Sequence, residues 1–266
     1  MKKFLILFLF SVLFVFSQNA FADEIEYIHK TPNVHIFKLD TKKIGCNIKP
    51  YVVSGLDTVK NVYENNEFDF VVNGGYFDPQ TGAPVSYVTI NGEIVENPYD
   101  NASLLEKFSD EEMDQIADRA ELRIMENKRG KLRFDITNHK AYAPNGWTVK
   151  HALQAGPQVY PVLNLEKEFF VSYDENGKII KDSIDAFKKR PRTVVGIKGD
   201  FLYVIVFTKQ AGYTLDDIHK FCAGLKLDKA MNLDGGGSTA INYDDVEVYS
   251  EEKSGRKVKS FLVVED

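Results

Sequence analysis

The chain has 266 residues, with 33 basic and 39 acidic side chains and a formal charge of −6. That acidic balance lacks the basic footprint of a nucleic-acid-binding protein, so no nucleic-acid partner is expected. Two cysteines, Cys46 and Cys222, are too few for a disulfide scaffold; a bridge between them and two buried thiols both fit the composition.

Lys2 and Lys3 precede an apolar run over residues 4–16, and Ala20-Phe-Ala22 supplies small residues before Asp23. This pattern predicts an export leader over residues 1–22 and a periplasmic or secreted product. The run is short for a bilayer crossing and no second long apolar stretch follows, so no stable membrane span is expected after cleavage. Residues 23–266 are predicted to form one domain.

Within that domain, residues 34–39 and 44–53 alternate as a pair of strands around the polar turn Asp40-Thr-Lys-Lys43. Residues 58–64 predict a short surface helix. Residues 68–72 form an apolar strand that runs into Asn73-Gly-Gly-Tyr-Phe-Asp78. Paired glycines there turn the chain, and Asn73 and Asp78 are candidates to point into a cleft at the strand end. Asn91-Gly92 between apolar residues is a strong hairpin signal. The stretch 101–130 changes character. Ser109 and Glu112 make a capping box, and Met113, Ile116, Ala120 and Ile124 follow at helical spacing, which predicts a peripheral helical insertion.

Residues 131–136 and 149–153 predict further strands, separated by a polar and aromatic stretch holding His139, Tyr142 and the single tryptophan, Trp147. Such rings suit either a sugar-stacking surface or a loop anchored on the core. Gln154-Ala-Gly-Pro157 is an abrupt turn. Residues 164–184 form a polar loop. Arg192 stands just before a hairpin over 194–207 whose second arm, seven apolar residues, reads as a central strand covered on both faces. A guanidinium held there suits two-pronged recognition of phosphate or carboxylate, or a structural ion pair. Thr214 and Asp217 cap a helix that Gly224 can stop. The strand over 227–233 then runs into Asp234-Gly-Gly-Gly-Ser-Thr239, more glycine than a turn requires, whose N–H groups can form an anion-binding nest. A hairpin through Asp244-Asp245 and a last strand over 258–264 complete the domain. His-Glu-x-x-His, P-loop, serine-elbow and dinucleotide motifs are absent, and the five histidines show no zinc-ligand spacing.

Four separated segments together resemble the phosphodiester glycosidase family: Asn73-Gly-Gly-Tyr-Phe77, Gln154-Ala-Gly-Pro157, Arg192-Thr-Val-Val-Gly196 and Asn232-Leu-Asp-Gly-Gly-Gly-Ser238, with Gly212-Tyr-Thr-Leu-Asp216 fitting the same pattern. The resemblance implies a mixed α/β (α+β) domain of twisted, strand-rich sheets with peripheral helices, its motif loops gathered at a cleft. It also implies hydrolysis of a glycosyl–phosphate linkage, with a sugar phosphate or glycan as partner. On that reading Asp234 acts at the sugar carbon and Arg192 holds the phosphate, while Asn73 orients it and Asp78 is a second carboxylate. Gly74, Gly75, Gly156, Gly235, Gly236, Gly237 and Ser238 are the substrate-binding candidates. A divalent cation, Ca²⁺ or Mg²⁺, could sit between carboxylate and phosphate, although no complete cage is visible. Two other readings stand beside this one: an envelope module that binds anionic glycans without turnover, and a phosphodiesterase that cleaves the P–O bond.

Overall fold

The computed structural model describes residues 24–208, 212–250 and 255–265. The leader read over residues 1–22 lies outside the described residues. The chain opens with β1 (Ile25–Lys30) and β2 (Val34–Asp40), then β3 (Ile48–Asp57). Helix α1 (Val59–Asn65) is N-capped by Thr58, whose hydroxyl accepts from Asn61 N, and it leads into β4 (Phe68–Asn73). Next come β5 (Val88–Ile90) and β6 (Glu93–Glu96), joined by Asn91 and Gly92, both at positive φ as a tight hairpin turn demands. Two short helices, α2 (Ala102–Lys107) and α3 (Asp110–Ala117), precede β7 (Ala120–Asn127), β8 (Leu132–Asn138), β9 (Trp147–Gln154) and β10 (Gln158–Tyr160). A small hairpin of β11 (Val171–Tyr173) and β12 (Ile179–Asp182) leads to β13 (Arg192–Lys198) and β14 (Phe201–Phe207). Helix α4 (Leu215–Leu225), β15 (Lys229–Asn232), β16 (Ala240–Tyr243), β17 (Val246–Tyr249) and β18 (Val258–Glu265) complete the order.

These strands form three larger antiparallel sheets. The first runs β1-β2-β14-β13-β15-β10, the second β17-β16-β4-β18-β3 and the third β6-β5-β9-β7-β8. The molecule is thus a mixed α/β domain of strand-rich antiparallel sheets with a few peripheral helices. The main core is shared by all three sheets: Phe37 and Val204 from the first meet Phe70 and Leu262 from the second and Leu122 and Ile124 from the third. Burial of such side chains is the dominant favourable contribution to folding. On the outer face of the first sheet, Leu215, Ile218 and Cys222 seat α4 against Ile205 and Phe207. Val59 and Val62 seat α1 on the second sheet beside Val71 and Phe261. As expected, β14 lies inside its sheet, and six of its seven residues are buried.

Three expectations are corrected. The segment after β2 does not fold back onto it, because Thr41 donates through both its backbone N and its hydroxyl to Asp200 O in the β13–β14 turn. The chain is diverted there into the second sheet, where β3 pairs with β18, while β2 pairs with β1 and β14. Residues 101–130 are not one helical insertion. The Ser109–Glu112 capping box forms, but α3 ends at Ala117 and Ala120 and Ile124 lie in β7, between β8 and β9. The first six residues of β7 are buried on both faces, and the two charged residues among them, Glu121 and Arg123, neutralise each other at 2.5 Å. Alternation is thereby hidden and the apolar spacing imitates a helix. Helix α4 is capped by Thr214 and Asp217 as expected, but it runs through Gly224 and ends where Lys226 takes the left-handed conformation, φ 55°. Both cysteines are free: Cys46 is exposed, and burial raises the Cys222 thiol to about 12. A resting thiol that basic is not a nucleophile.

Candidate active site

Three strand ends meet at one edge of the sheets. Strand β4 finishes at Asn73, β15 finishes at Asn232, and β13 begins at Arg192, with Val194 opposite Asn232 in the register. Leu233 N donates to Thr193 O at 2.8 Å, which carries the β15 chain past β13 and delivers Asp234 beyond the sheet. Asp234 is then clamped through its backbone. Its N–H donates to Gly74 O at 3.0 Å, and its carbonyl accepts from Asn73 Nδ2 at 2.7 Å. The Asn73–Gly74 motif and the Asp234–Gly235 motif, far apart in sequence, are thus one structure.

Asp234 sits on the wall of a cleft of about 650 Å³ that is also lined by Tyr76, Lys189, Arg190, Arg192 and Arg256. Removal from water raises its carboxyl to about 6. The Ser238 hydroxyl, the Gly235 N–H (2.9 Å to Oδ1) and the charge of Arg256 all act in the opposite direction. Lys189 and Arg256 form no ion pair among the described residues. Arg190 is held by Asp185, its Nη2 at 2.6 Å from Oδ2. The Asp234 carboxylate therefore shares the cleft with Lys189, Arg256 and the Arg190–Asp185 pair, and the charge of Arg256 acts on it directly. Two further buried polar atoms beside it, Asn232 Oδ1 and Thr239 Oγ1, have no hydrogen-bond partner among the described residues. Buried polar groups are normally paired, so these two oxygens are hydrogen-bonding capacity that the protein itself does not use.

The other predicted residues have different surroundings. Four of the five N–H groups of Arg192 are spent on backbone carbonyls. Nε donates to Tyr213 O, Nη1 to Ile184 O, and Nη2 to Asp185 O (2.7 Å) and Lys188 O. Its side chain pins the 184–188 loop and the start of α4, leaving a single Nη1 hydrogen for a ligand. Asn73 is fully buried, and its Oδ1 accepts from Thr193 Oγ1 (2.7 Å) and Ala240 N (3.1 Å). It positions Asp234 instead of facing the cleft. Asp78 lies outside the cleft lining, in a turn where backbone donors led by Gln80 N hold its carboxyl below the usual range.

The glycines divide similarly. A Cβ on Gly74 would lie 2.7 Å from Ser260 C, and one on Gly75 would lie 2.4 Å from Gln154 O, so both permit close packing of backbone. Gly156 has φ +87°, and a Cβ there would stand 2.3 Å from Glu168 Oε2. In the Asp-Gly-Gly-Gly turn, Gly235 N is taken by Asp234 Oδ1 and Gly236 N by Pro191 O. Gly235, Gly236 and Gly237 all line the cleft, but two of their three amides are already engaged. Among the described residues no three His, Cys, Asp or Glu side chains converge as a metal-binding group.

The sequence reading named neither Tyr76, Lys189, Arg190 and Arg256 as site residues nor Glu168 as part of their support. The Tyr76 hydroxyl donates to Gly156 O at 2.8 Å and accepts from Asn232 Nδ2 at 3.0 Å. Burial raises its pKa, so it remains a neutral phenol that ties three motif loops together. Its place directly after Gly74-Gly75 was the available signal. Arg256, one base among Lys253, Lys257 and Lys259 in the polar run that leads into the last strand, carried none.

Glu168 is buried behind the Gln154-to-Pro157 turn and accepts from Ala120 N (3.0 Å) and Gln158 N (2.8 Å). Desolvation raises its carboxyl to about 7, against the pull of those two donors and Arg119. A raised acid binds its proton more tightly in the folded state, so its contribution is most favourable below the unfolded value and declines as pH rises through about 7. Stability is expected to fall between pH 5 and 8, with Glu168 contributing roughly 2–3 kcal/mol of that fall. Urea unfolding at both pH values checks this. Glu168→Gln should flatten the difference, and an equal fall in the variant would remove Glu168 as its source.

Several solved structures share this fold. A hypothetical protein from Synechocystis superposes with a TM-score of 0.60 at 11% identity, covering 90% of this chain. The chain spans only 61% of that protein's length. A protein from Burkholderia pseudomallei gives 0.61 at 12% identity, covering 88% of this chain and 74% of its own. The catalytic domain of zebrafish N-acetylglucosamine-1-phosphodiester alpha-N-acetylglucosaminidase, auto-inhibited by its pro-peptide, gives 0.60 at 16% identity, covering 88% and 76%. Comparison with curated proteins finds no match. The phosphodiester glycosidase family model matches residues 66–265, which contain all four motif segments, and the chain belongs to that family.

Proposed function

We propose that the protein is an exported hydrolase that cleaves the sugar C–O bond of a glycosyl phosphodiester. The observation that carries this reading is Asp234, partly buried and raised to about 6, in a cleft that Lys189, Arg190 and Arg256 also line. A glycosyl phosphodiester carries one negative charge on phosphate beside a sugar carbon that becomes positive as its bond breaks. Cations on one wall hold the phosphate, and the carboxylate stabilises the developing cation, attacks it, or takes a proton from water. Water oxygen bonds to the anomeric carbon, and the electron pair of the broken bond leaves with the phosphate. The products are a free sugar and a phosphate monoester. Phosphate is a good leaving group, so a dedicated general acid is less necessary than for an alcohol. A divalent cation would add Lewis-acid neutralisation of the phosphate, with Asp234 as its ligand from this chain; adding Ca²⁺ or Mg²⁺ back after chelation measures any such contribution. The leader over residues 1–22 directs this chemistry outside the cytoplasm.

Hydrolysis in ¹⁸O-water tests the bond assignment. Label is expected in the released sugar. Label in the phosphate would replace this reading with P–O cleavage, and binding without turnover across a panel of glycosyl phosphodiesters would replace it with a binding module.

A further inference from the structure

A second groove, of about 660 Å³, opens where the segment after β2, the β7–β8 turn, the start of β9 and the β13–β14 turn come together. Lys42, Lys43, Lys131 and Arg133 line it, with Phe134 and the half-buried Trp147. Its one lining carboxylate, Asp200, is paired with Lys42 at 2.5 Å. Lys43, Lys131 and Arg133 are exposed and form no ion pair among the described residues. Three unneutralised cations around an indole stand out on a chain of net charge −6. The groove is also remote from Asp234. Arg192 opens β13 at the cleft and Gly199 follows its last residue at the groove, so a seven-residue strand of roughly 20 Å separates them.

We infer that this groove is a second binding site, for a strand of phosphodiester-linked sugars. Trp147 offers a face on which a sugar ring can stack, and Lys43, Lys131 and Arg133 lie where successive phosphates would pass. The inference rests on the proposed substrate class. It implies that the protein holds a polymer at one place while it acts at another, raising the effective concentration of cleavable ends.

Trp147 is the only tryptophan, and Cys46, beside it in the lining, is the only exposed thiol. Both report on this groove without labels elsewhere. A tetramer of phosphodiester-linked hexoses, titrated into the full chain, is expected to change Trp147 fluorescence saturably and to slow alkylation of Cys46. Affinity should fall at least tenfold in Lys43→Glu/Arg133→Glu and drop as salt rises, while hydrolysis of a small monomeric glycosyl phosphodiester is unchanged. Failure of both signals to saturate would overturn the inference, as would equal affinity in the double variant or equal binding of an uncharged glucan tetramer. Tighter binding of a single-stranded oligonucleotide would also overturn it, by reducing the groove to a general polyanion surface. The fluorescence, alkylation and affinity outcomes do not depend on turnover, so loss of the hydrolase reading and loss of the groove are separately visible.

Discussion

Asp234→Asn is expected to lower kcat on a glycosyl phosphodiester by about 10²–10⁴-fold, the usual scale for a positioned acid–base group, while the fold is kept. The substitution preserves the hydrogen-bond acceptor at Oδ1 that Gly235 N uses, and the clamps on Asp234 run through its backbone to Gly74 and Asn73. What changes is the charge facing the cleft. Because the carboxyl is raised to about 6, the wild-type rate should climb as pH passes through that value and the carboxylate forms. The variant should lose this limb along with the rate. Ser238→Ala is expected to cost less. It removes a hydroxyl that favours the ionised form, so the limb should move to higher pH without disappearing. Steady-state kinetics from pH 4.5 to 8.5 on folded variants measure all three effects. A near-wild-type kcat for Asp234→Asn would leave Asp234 as a turn residue with no part in the chemistry.

The sequence made the Asn73, Gln154 and Asp234 motif loops legible because each is an apolar strand ending abruptly in polar and glycine residues, while Arg192 opens such a strand. That pattern survives whatever the loops touch, and the structure does bring Asn73, Gly74, Gly156, Arg192 and Asp234 to one edge. What each residue does there was not legible. Asn73, Arg192 and the paired glycines are specified by partners more than a hundred residues away or by carbonyls of irregular loops, and neither leaves a local pattern. A buried arginine that feeds four carbonyls and an exposed arginine that waits for a phosphate are the same letter. The error at β7 has a related cause. Glu121 and Arg123 are polar letters in the buried part of a strand, and their mutual contact, with His139 on the second Glu121 oxygen at 2.7 Å and Arg123 donating to the carbonyls of Asn138, His139 and Ala141, makes that burial tolerable.

Asn73 and Arg192 support the proposed chemistry from outside it. In that mechanism the Asp234 carboxylate needs a fixed backbone, and Asn73 fixes it by donating to Asp234 O while accepting from Thr193 and Ala240. The cationic wall needs a fixed loop, and Arg192 fixes that. On the proposed reading, a residue buried behind the cleft is needed to place the one that acts in it.

Arg192→Lys is the substitution that separates the two roles of that guanidinium. A lysine keeps the charge but cannot reach Ile184 O, Asp185 O, Lys188 O and Tyr213 O together, because its donors lie on one tetrahedral nitrogen. Hydrogen bonds to a charged group contribute about 1.5–3 kcal/mol each, and some lost partners will recover water. A net loss of about 3 kcal/mol or more in unfolding free energy is therefore expected. The 184–190 segment should become the first site of limited proteolysis. Since Lys189 and Arg190 ride on that segment, turnover should fall as well, with KM raised by the displaced phosphate wall. A residue that only gripped phosphate would behave differently: the lysine variant would show a raised KM at unchanged stability and unchanged protease sensitivity. Urea unfolding and proteolysis, run beside kinetics on the same preparation, distinguish the tether from the grip, and the four carbonyls around the guanidinium predict the tether.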